Sequence, residues 1–320
     1  MKIKGCAVAL VFLSVWLLAP AIALGEETIM QLPVGSLQTM NQAETFYTME
    51  YTADYRLDDA LDASLNSVAA LAKWVATSLA PSAPDDAAVR VGGGCSAFVA
   101  ENGGGLLYGR NYDYVQNAQN VLVHCTPKDG FASVSMTAGG WLFEEGKLTD
   151  AGRDLSMLAA NFHFYLADAA GNYALVEYGQ GNAGMKVGKG SLFAAEDGNE
   201  HRQVTNFYRL FPADEYGYDD GLHGRDRYDV LVDELGRAGY ALDGEGAMKL
   251  LSDVYQDFGA SATHETQWSV VYDPVGKTAR ICVREEASDH QEAFYQTQYF
   301  FDLSRTFTDG APVALAEQGK

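Results

Sequence analysis

Two alternating runs face each other across a glycine turn about a third of the way along the chain. "CSAFVA" (residues 95–100) and "LLYGRNYDY" (106–114) flank "ENGGG", which predicts an antiparallel hairpin. The pattern recurs. "NFHFYLADAAGNYALVEY" (161–178) turns around Gly171, and "QWSVVYDPVGKTARICVRE" (267–285) turns between Pro274 and Gly276. "YQTQYFFDLS" (295–304) reads as a closing strand, and "TFYTMEYTADY" (45–55) has strand composition. Helical periodicity lies apart from these runs. Leu57, Leu61, Leu65, Val68, Leu71, Val75 and Leu79 recur every three or four residues, and the same period returns over 226–237 and 245–257. Strand runs set apart from helix runs predict an α+β fold rather than a doubly wound one.

The N-terminus carries an address. Lys2 and Lys4 precede an apolar run from Cys6 to Leu18, and small residues follow at Ala19, Ala21 and Ala23. A charged region, an apolar region and small residues at a cleavage spacing predict a signal peptide over 1–24. The run falls short of the ~20 residues a spanning helix needs. The expectation is a secreted or periplasmic protein with no stable membrane insertion after signal cleavage. A net charge of -21 argues against nucleic acid and anionic membranes as partners.

Of four cysteines, Cys95, Cys125 and Cys282 remain once Cys6 leaves with the signal. Three is odd, so one thiol stays free or bridges two molecules. Cys125 and Cys282 sit inside strand-like runs and read as small core residues. His124, His163, His201, His223, His264 and His290 are scattered without zinc-like spacing, so no metal is expected. Cys95 stands apart. "PSAPDDAAVR" (81–90) breaks the preceding helix, and Gly92, Gly93 and Gly94 then lead directly into the thiol. A cut between Gly94 and Cys95 would give Cys95 a free α-amine, whose ordinary pKa of about 7.7–8.0 lets it take the thiol proton near neutrality. One residue then supplies nucleophile and base. Residues 25–94 become a helical pro-segment and 95–320 the working domain.

The stretch "GCSAFVAENGGGLLYGRNYDY" resembles the start of the mature chain in N-terminal nucleophile (Ntn) hydrolases of the choloylglycine hydrolase and penicillin V acylase family, which cleave linear amide C–N bonds. The family's Cys and its G-R-N-x-D pattern fall on Cys95, Gly109, Arg110, Asn111 and Asp113. "VTNFY" is similar to the family's T-N segment and puts its catalytic asparagine on Asn206; "GRDRYDVL" is similar to its R-Y helix start and puts its arginine on Arg227. "TQWSVVYD" resembles the late core hairpin, and the resemblance spans most of 95–303. It implies an αββα four-layer sandwich, autocatalytic cleavage between Gly94 and Cys95, and hydrolysis of a small-molecule N-acyl amide such as a bile-salt-like or penicillin-V-like substrate, with no cofactor. It is also consistent with a homo-oligomer.

The resemblance implies these roles. Cys95 attacks the carbonyl, its α-amine shuttles the proton, and Asp113 holds that amine. Arg110 sets a cation beside the sulfur. Asn206 donates to the oxyanion or fixes the amine, and Arg227 supports the cluster. One family element is missing: the D-x-M-N-E-x-G-L stretch, whose asparagine supplies an oxyanion donor, has no counterpart in "VSMTAGGWLFEEGKLTDAGRDLSMLA". Two other readings stand beside the hydrolase. One is an acyltransferase that uses the same acyl-enzyme; the other is a secreted binding protein that kept the fold without turnover.

Overall fold

The computed structural model describes residues 38–52, 62, 94–103, 105–114, 120–126, 132–138, 162–168, 173–178, 180–181, 184–185, 202–207, 224–257, 265–286 and 290–305. The elements in chain order are β1 (Gln38–Thr39), β2 (Phe46–Tyr51), β3 (Gly94–Asn102), β4 (Gly105–Tyr114), β5 (Asn120–Cys125), β6 (Ser133–Ala138), β7 (Phe162–Ala167) and β8 (Tyr173–Tyr178). There follow β9 (Gln180–Gly181), β10 (Gly184–Met185), β11 (Gln203–Val204), α1 (Arg225–Arg237), α2 (Gly244–Asp253), β12 (Glu265–Asp273), β13 (Thr278–Val283), α3 (Gln291–Gln296) and β14 (Tyr299–Asp302). The expected signal peptide and, apart from Asp62, the expected helix over 57–79 lie outside the described residues.

All three sequence hairpins form: β3 pairs with β4, β7 with β8, and β12 with β13, each antiparallel. The first and third join into one six-stranded sheet in the order β11-β3-β4-β12-β13-β14. Alternation gives that sheet two apolar faces. On one face Phe98, Leu107, Val271 and Cys282 pack against Leu231 and Leu235 of α1, Met248 and Leu251 of α2, and Phe294 of α3. On the other, Trp268, Val270, Ile281 and Phe301 pack against Phe46, Leu122 and Met136 of a second, four-stranded sheet. Ala97, Val99 and Val204 meet Tyr173 of the β7–β8 hairpin on that same side. The described layers are therefore helices, a six-stranded sheet and a second sheet. This is mixed α and β content, as the segregated periodicities predict, with few helices among the described residues.

The chain ends differ from the sequence reading. The strand expected from Tyr295 begins at Tyr299, because Tyr295 and Gln296 belong to α3, whose Phe294 is buried against the helix layer. The helix expected over 245–257 stops at Asp253. The second sheet runs β1-β2-β5-β6, with β2 and β5 parallel in register from Phe46↔Asn120 to Tyr51↔Cys125. Residues 38–52 fall in the stretch read as pro-segment, yet β2 is an interior strand of this sheet. Its Phe46, Tyr47 and Met49 are buried, and each such burial stabilises by roughly 1.5–3 kcal/mol.

Candidate active site

The register of β3 decides what surrounds Cys95. Cys95 lies opposite Tyr112 and Ala97 opposite Arg110, so Cys95, Arg110 and Tyr112 share the face turned to the second sheet. There Arg110 Nη2 approaches the Cys95 sulfur at 4.0 Å, and its guanidinium lies 5.5 Å from the Trp268 ring centroid. Trp268 in turn stacks on Tyr112 with centroids 5.2 Å apart. Burial works against the Arg110 charge, but Tyr108 and Cys95 beside it more than offset this, and the guanidinium is held protonated.

On the opposite edge of β3, β11 pairs Val204 with Ala97, and continuing that register sets Asn206 beside Cys95. The Cys95 backbone N–H donates to Asn206 Oδ1 at 3.1 Å. Arg227 reaches in from the first turn of α1. That helix begins at Gly224, whose φ of 78° lies in the left-handed region. A Cβ there would come within 2.7 Å of Arg227 Nη2, so glycine leaves room for the guanidinium. Arg227 Nη1 is shared among the Cys95 carbonyl (2.9 Å), Ser96 Oγ (2.8 Å) and Asp113 Oδ2 (3.2 Å), while Nη2 donates to Asn206 Oδ1 at 2.7 Å.

Asp113 lies on the helix-side face, where its other oxygen accepts from Thr266 Oγ1 at 2.8 Å. Its side chain is 1% exposed and that of Arg227 4% exposed. Burial raises the Asp113 carboxyl to about 7, although Arg227, the Thr266 hydroxyl and Arg110 all pull it down. Cys95 itself is only half buried. The arrangement offers a thiol beside a cation, and a main-chain nitrogen and oxygen each fixed by a side chain.

All five residues singled out in the sequence, Cys95, Arg110, Asp113, Asn206 and Arg227, come together here. The expected route is corrected in one respect. For Arg110 to flank the sulfur and Asp113, three residues on, to hold the amine, the strand would need a bend or bulge near Asn111 and Tyr112. Instead β4 keeps unbroken register with β3 from Gly94↔Asp113 to Asn102↔Gly105, and the two side chains occupy opposite faces. Arg110 meets the thiol, whereas Asp113 reaches Cys95 through Arg227.

Sequence reasoning missed Ser96, Thr266 and a buried hydrogen-bonded row behind them. Ser269 Oγ donates to Asn111 Oδ1 at 2.7 Å and contacts Tyr295 Oη at 2.8 Å, and Asn111 Nδ2 donates to the Leu251 carbonyl at 2.8 Å. The signal was present. Small polar residues at Ser96, Asn111, Thr266 and Ser269 interrupt runs that are otherwise apolar on the helix side. Cys125 and Cys282 are fully buried core residues, as expected, and all three described cysteines are free. Burial pushes the Cys125 thiol, with Glu50 adding to it, up to about 12, and raises that of Cys282 still further.

Among the described residues no cluster of three or more His, Cys, Asp or Glu could hold a metal ion, and no helix is long and apolar enough to cross a membrane. Searches against protein-family models and against curated proteins found no match to this chain, so the residues themselves carry the functional reading.

Proposed function

We propose that this chain is an exported, self-processing cysteine Ntn hydrolase that cleaves a linear amide C–N bond of a small N-acyl substrate without a cofactor. One observation carries the reading. Three atoms of Cys95 are each engaged by a different side chain: its nitrogen by Asn206, its carbonyl oxygen by Arg227 and its sulfur by Arg110. A cysteine that only fills a core needs none of these. The described helix, sheet and sheet layers support the αββα sandwich as the finer fold, with 95–320 as the catalytic domain.

In processing, the Cys95 sulfur adds to the Gly94 carbonyl carbon. The Gly94–Cys95 C–N bond breaks as the nitrogen takes the thiol proton. Water then hydrolyses the thioester, releasing the Gly94 carboxylate and restoring the thiol. In turnover the new α-amine takes the thiol proton, sulfur adds to the substrate carbonyl, and the amine passes the proton to the leaving nitrogen. Water hydrolyses the acyl-enzyme. Asn206 Oδ1 holds the α-amine, and its Nδ2 is the donor for the oxyanion. Arg227 fixes Asn206 and the Cys95 carbonyl, and Asp113 balances the Arg227 charge. With the D-x-M-N-E-x-G-L asparagine missing, turnover is expected to be slow, since one oxyanion donor is worth roughly 10²–10³ in rate.

N-terminal sequencing of the exported protein tests the reading, with Cys95 expected first. Active protein whose chain still begins near Gly25 overturns it. Cys95→Ser should stay folded and lose activity by orders of magnitude. Product analysis with an added amine acceptor separates water from amine as the second substrate, and so a hydrolase from an acyltransferase. A folded protein whose Cys95 resists an amide-derived electrophile is a binding protein instead.

A further inference from the structure

We infer that cleavage before Cys95 does not release the preceding segment, and that the mature protein is a two-chain body whose second sheet contains β2 from the N-terminal piece. The inference rests on the processing reading above and goes beyond it. A pro-segment that departs must leave a finished surface behind. Here it would leave the opposite. β2 sits between β1 and β5, so removing it strips the hydrogen-bonded edge from β5 along all six register pairs.

Side chains on β2 belong to the core of the following domain. Phe46 is fully buried, with its ring 5.0 Å from Tyr299 and 5.9 Å from Phe301, both on β14. Leu122, Trp268 and Val270 join the same cluster. Polar groups are matched across the cut as well. Glu50 of β2 and His124 of β5 form a buried pair at 3.0 Å, and departure would leave one half in an apolar sheet. The β1–β2 turn is tied down separately. Asn41 Oδ1 accepts from the backbone N–H of Thr45 (3.0 Å) and of Phe46 (3.1 Å), its Nδ2 donates to Glu285 at 3.2 Å, and Asn120 N–H donates to the Thr45 carbonyl at 2.8 Å. None of these contacts involves the scissile bond, which lies in β3 of the other sheet.

The exported full chain is examined by denaturing mass spectrometry and by native size exclusion. Two fragments meeting at Gly94 and Cys95, co-eluting one to one, are expected. A folded fragment starting at Cys95 that elutes alone overturns the inference. An undivided chain refutes the processing reading instead, and a second experiment then decides retention. Full-length Cys95→Ala with a site-specific protease sequence inserted within 81–90 is cut in vitro. The halves should co-elute, and the denaturant midpoint of the cut protein should rise with each tenfold rise in concentration, whereas that of uncut protein stays constant. Separation of the halves with the larger one still folded, or a concentration-independent midpoint after cutting, refutes retention.

Discussion

Replacing Asp113 by asparagine isolates the cost of holding a carboxylate inside the sheet. The side chain is 1% exposed, and burial sets its folded pKa at about 7, against an ordinary value of about 3.9 in the unfolded chain. Between those values the folded state keeps a proton that the unfolded state has released. The protons bound in U minus those bound in N is then negative, and stability falls as pH rises. Above the folded pKa both states are ionised and the curve flattens. At about 1.36 kcal/mol per unit, the full penalty is roughly 4 kcal/mol, of which about 3 kcal/mol accrues between about pH 5 and pH 8. A side-chain amide cannot titrate, so urea unfolding of the Asp113→Asn variant should lack this component. The assay is the difference between wild-type and variant stability, measured across that window. Wild type should lose about 3 kcal/mol relative to the variant on going to the higher pH. Parallel curves would show that Arg227 and Thr266 hold the carboxyl near its ordinary value, and would refute the reasoning.

Three further outcomes follow from the same geometry. Arg227→Met leaves Asp113 buried without its countercharge and should destabilise by about 3–5 kcal/mol, more at alkaline than at acid pH, as read by denaturant unfolding. Gly224→Ala meets both a positive φ and the Arg227 guanidinium; it should cost about 1–3 kcal/mol from backbone strain and lower kcat by displacing Nη2 from Asn206, while unchanged kinetics would count against Arg227 as a positioning residue. Cys282→Ser puts a hydroxyl where the sulfur now contacts Met248 Sδ at 3.9 Å; it should cost about 1–3 kcal/mol and leave activity per folded molecule unaltered.

Much of the six-stranded sheet was legible because each hairpin carries its own local record. Alternation from Cys95 to Tyr114 specifies both strands and their turn, and the run from Trp268 to Val283 does the same. The second sheet was not legible in this way. β2 finds its partner β5 in parallel across 74 residues from Glu50 to His124, and no turn signal announces such a pairing. Composition marked 45–55 as a strand but could not say which strand lies beside it, so the segment read as a detachable leader. Asn206 and Arg227 were found only through short motifs. Their convergence depends on β11 lying along the free edge of β3 and on α1 starting at Gly224, and neither relation has a period in the sequence.

The irregularity that brings the helix-side polar groups together sits one strand away from where the spacing of Arg110 and Asp113 suggested. β4 pairs with β12 as Asp113↔Thr266 and then Tyr112↔Trp268, so Gln267 is the extra residue of a bulge in β12. In an unbroken strand Thr266 and Ser269, three apart, would face opposite ways. With one residue inserted, both face the helix layer, where Thr266 donates to Asp113 and Ser269 donates to Asn111. Gln267 secures the insertion through its Nε2, which donates to the carbonyls of Tyr114 (3.3 Å) and Glu265 (3.1 Å). A regular β4 can therefore send Arg110 to the thiol on one face and Asp113 to Arg227 on the other. The bulge in β12 therefore serves Thr266 and Ser269, while β3 and β4 keep their register past Cys95 without one.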